Sequence, residues 1–498
     1  MQENKLTLES NNRPQLQKSL SLNDSICIVL GSVIGSGIFV SPSAVFNLLK
    51  QSPFLSLIAW SVAALISIAG ALCYAELGCM FPKAGAEYEY LKHGMGQKYG
   101  KFWAFLFAWV QLLVLGTGSI AIMAGVSANY LVKVLWVNGV PSNSQAESTS
   151  KIVATLLVLI LTIINCYGIK LGSKIQNILT ILKVMGIVLL LIIGIICFQH
   201  LNWIEFTKNF FGAEYTQTSL NLKTSLASDI AKFGGALIAC LWAYDGWNNL
   251  SRVNEESIDI QKTLPKGLII GISSAAVIYL SLNLFYFLTL SPTELSSTKA
   301  VALSAINTLS DKATWLKYFP LSLILGILIA ISAGGATNGS LLSGARIFFA
   351  AGRDGLFFGS LAKLNEKTKA PVHSLIVQGF WAIALILIGN FESLLSYFSF
   401  SAWIFYVLCA GILIHLRIAQ PNAHRPYKMP LFPFIPIVFL LAAIKLPVRR
   451  FSQGFHSSLF LVVAFFIYLP PKENKFPKLT FSQAFTLQRL RQIYSLRM

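Results

Sequence analysis

Charge is scarce in this chain: charged residues make up 12% of it, and acids are rarer than bases, with 20 Asp and Glu against 39 Lys and Arg. So little charge cannot cover the surface of a 498-residue soluble protein that is 55% hydrophobic. The six histidines (His93, His200, His373, His415, His424, His456) are scattered, with no pair at metal-ligand spacing, and there is no nucleophile elbow and no phosphate-cradling loop. These absences argue against an enzyme and against a bound metal or cofactor. The seven cysteines (Cys27, Cys73, Cys79, Cys166, Cys197, Cys240, Cys409) lie in or at the ends of apolar runs. A thiol there behaves as a small hydrophobe, so no disulfide framework is expected.

What the sequence does have is apolar runs near the length that crosses a bilayer core of ~30 Å. Twelve are counted, beginning near Leu22, Pro53, Phe102, Val153, Ile175, Ala227, Leu264, Tyr318, Ser374, Leu394, Leu431 and Phe455. The reading is an all-α polytopic membrane protein with twelve transmembrane helices, its partner the lipid bilayer. The formal net charge of +19 could suggest nucleic acid, but most Lys and Arg fall on one side when both termini are placed in the cytoplasm. The basic excess therefore reads as topology in the cell's plasma (inner) membrane, with no nucleic-acid partner. Residues 1–20 are polar, and no small-residue cleavage site closes the run that follows, so no secretory signal is expected.

The most unusual run is Gly31-Ser32-Val33-Ile34-Gly35-Ser36-Gly37-Ile38-Phe39. Glycine inside a helix costs roughly 1 kcal/mol relative to alanine, so the helix is expected to break at Gly35, Ser36 and Gly37. Broken backbone is tolerated at membrane depth only where it lines a cavity or is buried in protein. Two readings are open for these glycines: half of a substrate site, or a GxxxG stripe for helix packing through Gly31 and Gly35. Glu76, at the end of the second span, reads either as a gate carboxylate or as a helix-end carboxylate paired with a nearby Lys. Lys183 lies nine residues beyond Lys174 in the fifth span. At ~1.5 Å per residue that is roughly 13 Å into the bilayer, deep for snorkelling, and a lysine there normally faces the bundle interior.

The sixth span repeats the anomaly, with Trp242-Ala243-Tyr244-Asp245-Gly246-Trp247-Asn248-Asn249 interrupting an apolar run. Two Gly-interrupted spans in corresponding halves point to an inverted repeat with a site at its interface. The expected division is a tail at 1–20, a first repeat at 21–198 (spans one to five), a second at 199–417 (spans six to ten), two added spans at 418–470, and a basic tail at 471–498. In the eighth span, Gly334-Gly335-Ala336-Thr337-Asn338-Gly339-Ser340 suits close packing, with Asn338 a candidate contact. Phe481, Phe485, Leu490, Ile493 and Tyr494 fall near one helical face of the basic tail, which reads as a membrane-surface helix or as disorder.

Together these residues resemble the amino acid-polyamine-organocation superfamily, and most closely its L-type amino acid transporter branch. The resemblance covers about residues 20–430 and rests on Gly35-Ser36-Gly37-Ile38-Phe39, Ala243-Tyr244-Asp245-Gly246-Trp247-Asn248, Glu255-Glu256, Leu264-Pro265, Asn338-Gly339-Ser340 with Arg346, and Arg425-Pro426-Tyr427. It implies a LeuT-like 5+5 inverted repeat with broken helices 1 and 6, and alternating-access transport of L-amino acids. A sodium-independent exchanger of small or medium neutral amino acids is favoured, with a cationic amino acid or polyamine antiporter, or a proton-coupled symporter, as the alternatives. It implies that the substrate carboxylate meets the amides of Ser36, Gly37 and Ile38 beside Gly35. The substrate ammonium would meet carbonyls of Val33, Trp242 and Asp245 beside Ala243. Lys183 would stand in place of a sodium ion. Asp245 could hold a substrate cation, or could hold Asn248, Asn249 or a water. Animal members join a heavy subunit through a cysteine after span three; the stretch Asn138 to Lys151 has none, so no disulfide-linked partner is expected.

Overall fold

The computed structural model describes residues 16–135, 143–212, 226–298, 300–389 and 391–448. The expected N-terminal tail before residue 16, the twelfth span and the basic tail lie outside the described residues. The first apolar run forms α1 (Leu22–Val33) and α2 (Gly37–Leu48), bent by 46° at the glycines between them. The next five runs appear as α3 (Pro53–Met80); α5 (Gly96–Val110) continued by a π-turn and α6 (Gly116–Leu135); α7 (Asn143–Cys166); α8 (Ile169–Ile196); and α9 (Leu226–Ala243). The short α4 (Glu87–Gly94) precedes α5, and the four-residue α10 (Asn249–Arg252) follows the break after α9. Then come α11 (Ile260–Thr289), α12 (Leu321–Arg353), α13 (Val372–Ile388), α14 (Phe391–Ala419) and α15 (Phe434–Val448).

Among the described residues seven helices are long and apolar enough to cross a membrane, or eight with the bent pair, and α13 and an apolar stretch of α15 are shorter. The described residues are therefore helical, and the chain is polytopic. Local chemistry sets several boundaries. Ser21 and Asp24 form a reciprocal capping box at the start of α1, and Ser52 caps α3 just before Pro53. α12 packs along α6, α8 and α1, and α11 packs along α3 and α1, so the broken first helix sits between two long ones.

Glu76 meets arginine where sequence reasoning offered lysine. Its carboxylate is fully buried and takes a bidentate pair from Arg417, at 2.7 and 2.6 Å, together with Arg425 at 3.4 Å and the Met429 amide at 2.8 Å. This ties α3 to the end of α14 and the segment beyond it. Removing one partner of such a buried pair costs about 3–5 kcal/mol. Glu76→Ala is expected to lower the melting temperature of detergent-solubilised protein by roughly 3–5 °C, and a melt superimposable on wild type would contradict this anchoring role.

Candidate functional site

The break in the first helix is built from few bonds. The Ile34 amide still reaches the Leu30 carbonyl at 2.9 Å, the Gly35 amide turns back to the Val33 carbonyl at 2.8 Å, and the Phe39 amide reaches the Ser36 carbonyl at 3.0 Å. The amides of Ser36, Gly37 and Ile38 make no backbone bond among the described residues, and Ser36 does not cap α2 with its side chain. Unspent N–H groups at a helix start attract an anion, because the dipole adds to the donors.

The carbonyls of the same break are held by Lys183. Its side chain is 1% exposed, and its ammonium donates to the carbonyls of Gly31 (2.8 Å), Ile34 (2.6 Å) and Ser332 (2.9 Å). The lysine thus turns into the bundle and does not snorkel. Ser332 Oγ stands 3.0 and 3.1 Å from the Ile34 and Gly35 carbonyls. Gly335 leaves the room, since a Cβ there would lie 3.0 Å from Lys183 Nζ.

After α9 the chain turns through Gly246, which holds φ +102°, a left-handed value suited to glycine. A cavity of about 800 Å³, counting its mouth, opens between the two breaks. Of the candidate residues, Val33, Gly35, Gly37, Trp242, Ala243 and Asp245 line it. Ser36 and Ile38 are fully buried beside it. Lys183 lies behind the break, outside the lining.

Asn338 is also outside the lining: its amide donates to Gly172 O and Gln176 Oε1 and accepts from Asn165 Nδ2, so it joins α12 to α7 and α8. Asp245 Oδ1 accepts from Tyr406 at 2.6 Å, whereas Asn248 and Asn249 are engaged by Glu87 and Arg252. Two of the three carbonyls expected to face a cation already accept backbone bonds, Val33 from Gly35 and Trp242 from Asp245. The Asp245 carbonyl accepts none among the described residues.

The glycines divide between the two readings of the first helix. A Cβ on Gly31 would run into Thr180 and Gln176 of α8, so Gly31 serves packing. One on Gly35 would meet only Met123 Sδ at 3.3 Å and Ala336 Cβ at 3.4 Å. On Gly37 it would lie 2.6 Å from the Cα of Ala243, so this glycine is required by α9 as much as by any ligand.

Sequence reasoning missed three contributors. Tyr279 of α11 puts its hydroxyl 2.8 Å from Val33 O and 2.9 Å from Ala243 O; with one proton to give, it bridges the two breaks by alternating between them. Tyr406 of α14 orients Asp245. A π-turn at Gln111–Leu115 widens the span between α5 and α6 and brings Gln111, Leu115 and Gly116 to the cavity. Gln111 and the Gly116-Thr117-Gly118-Ser119 stretch within an apolar run were the signal for it.

The family model described as amino acid permease matches residues 20–482. The b(0,+)-type amino acid transporter 1 of Mus musculus is 35% identical over 430 residues, covering 86% of this chain and 82% of the relative. Its Homo sapiens counterpart is 34% identical over the same shares. The large neutral amino acids transporter small subunit 2 of Mus musculus is 33% identical, covering 86% of this chain and 75% of the relative.

The two kinds of glycine in the site separate by experiment. Gly246→Ala would place a side chain in a left-handed conformation, at a cost of about 1–3 kcal/mol, with its Cβ 3.1 Å from Ser32 O. Gly35→Ala meets only a flexible thioether and a methyl group. Thermal melts should show Gly246→Ala clearly destabilised and Gly35→Ala close to wild type; equal melting temperatures would contradict the geometry.

Proposed function

The chain belongs to the amino acid permease family, and on that premise we propose that it is a secondary active transporter of L-amino acids, working as a sodium-independent exchanger. One observation carries the reading: unspent amides at the start of α2 stand beside a cavity that the carboxylate of Asp245 also lines. The first suits a substrate carboxylate and the second favours positive charge, the two ends of a zwitterion. Lys183 supplies a fixed cation behind the break, which supports transport without sodium. The relatives named above are transporters, which supports a carrier over an enzyme.

The finer architecture belongs to the same proposal. We assign a LeuT-like twelve-helix chain, with repeats at 21–198 and 199–417, added spans at 418–470, and both termini on the cytoplasmic side of the plasma membrane. Ser36, Gly37 and Ile38 would receive the carboxylate, and the carbonyls of Val33, Trp242 and Asp245 the ammonium. One of the relatives is named a small subunit. The loop after the third span here lacks the cysteine that would bind a heavy subunit, so this chain is proposed to act without a disulfide-linked partner.

Small or medium neutral amino acids remain the favoured cargo, since the Trp242 indole takes space in the cavity. A specific observation favours a second reading, cationic amino acids: Asp245 lines the cavity, with its carboxylate oriented by Tyr406. A carboxylate so placed pairs with ammonium or guanidinium through charge-assisted bonds roughly twice as strong as neutral ones. Counterflow in proteoliposomes of the purified chain tests both. Internal unlabelled amino acid should accelerate uptake of labelled amino acid without sodium, and no acceleration would contradict exchange. Competition by L-arginine that disappears selectively in Asp245→Asn would establish the cationic reading, and neutral competitors that outrank arginine in both proteins the favoured one.

A further inference from the structure

Asp245 is joined on the cavity wall by two further charged side chains, Glu87 and Arg252. Neither is needed by the site described above. Both are buried, at 1% and 9% exposure, and burying charge is costly without a full set of partners. Glu87 begins α4, and the residue before it, Ala86, holds φ 41° and ψ −100°, a sparsely populated conformation. The preceding Gly85 amide donates to the Arg252 carbonyl at 3.1 Å. The strained turn is thus tied to the very residue that Glu87 faces.

The bonds between them are asymmetric. Glu87 accepts from Arg252 Nε at 3.1 Å, Arg252 Nη2 at 3.0 Å and Asn248 Nδ2 at 2.6 Å, so its acceptor sites are largely filled. Arg252 spends a third hydrogen, from Nη1, on Asn249 Oδ1 at 3.1 Å, and Asn249 is itself held by Ser343 Oγ at 2.8 Å. A guanidinium has five N–H hydrogens. Two therefore remain without a bond among the described residues, one on each terminal nitrogen, on a planar group held by Glu87 and Asn249 in a residue of the cavity lining. Two N–H donors on a guanidinium suit a carboxylate.

We propose that Arg252, braced by Glu87, is a second carboxylate-binding subsite of the cavity, distinct from the amides at the start of α2. The proposal rests on the amino acid transport reading. The carboxylate can come from two sources: the α-carboxylate of a substrate moving through the cavity, or the side-chain carboxylate of an acidic amino acid whose α-carboxylate stays on α2.

The test is competition against exchange of a labelled neutral amino acid in proteoliposomes of the full chain. The variants are Arg252→Lys and the charge-balanced pair Glu87→Gln with Arg252→Gln, each checked for folding by thermal melting. The competitors are L-glutamate, L-glutamine and the decarboxylated amine of glutamine. If the side-chain carboxylate is the ligand, the potency of glutamate relative to glutamine falls about tenfold in the double variant, as loss of a charge-assisted bond requires. If the α-carboxylate is the ligand, glutamine itself weakens about tenfold while its decarboxylated amine does not. Arg252→Lys, which keeps the charge but loses the planar fork, should fall between wild type and the double variant in either case. Folded variants with wild-type competition constants overturn the subsite and leave the transport reading standing, and that outcome in Arg252→Lys alone suffices if the double variant does not fold. A wild-type chain that exchanges no amino acid overturns the transport reading, and the subsite with it.

Discussion

An ammonium with three hydrogens meets two carbonyls of the broken first helix and one of α12, and the rest of the site depends on that match. A helix interrupted at membrane depth leaves carbonyls that no water can satisfy, each a loss of several kcal/mol if unpaired. A lysine in the same bundle is costly for the same reason. Placed together, Lys183 and the carbonyls of Gly31, Ile34 and Ser332 satisfy one another. With the carbonyl end of the break satisfied from behind, the amide end at Gly37 and Ile38 is left open. The Tyr279 hydroxyl then links this break to the end of α9, so the two unwound segments are positioned as one unit.

Around this unit four glutamates are each held by an arginine. Glu256 with Arg346, Glu255 with Arg353, Glu87 with Arg252 and Glu76 with Arg417 are all bidentate pairs. Planar forks of this kind fix direction as well as charge. They join α4 to α10, the segment after α10 to α12, and α3 to α14. The Ser19 and Leu20 amides also reach the Glu256 carbonyl, at 2.8 and 2.9 Å, so the stretch just before α1 is fastened to the same cluster.

Much of this was legible in the residues because the membrane makes exceptions conspicuous. Glycines and a lysine inside apolar runs have few structural excuses, so Gly35, Gly37, Asp245 and Lys183 stood out, and eleven of the twelve expected runs coincide with helices. What stayed hidden depends on who meets whom across the bundle. Nothing local marks Tyr279 or Tyr406, which are ordinary aromatic residues in apolar helices until their hydroxyls reach backbone or carboxylate. Glu76 was offered a lysine because lysine is near in sequence; the arginines that hold it are more than 300 residues away. Asn338 looked like a site residue because it is polar in a small-residue stretch, yet helical rotation points it at α7 and α8. The choice between packing and binding for the first-helix glycines had no single answer, since Gly31 faces α8 and Gly35 faces the cavity.

The most direct test is substrate affinity measured in sodium-free medium, by equilibrium binding of a labelled amino acid to purified protein, for wild type and for Lys183→Met. Methionine keeps most of the side-chain length and removes the three donors, each bond to a charged group being worth about 1.5–3 kcal/mol. The account predicts that wild type binds without sodium and is unchanged when sodium is added, while folded Lys183→Met binds at least about tenfold more weakly. Wild-type binding that requires sodium, or a folded Lys183→Met variant that binds as tightly as wild type, would contradict it.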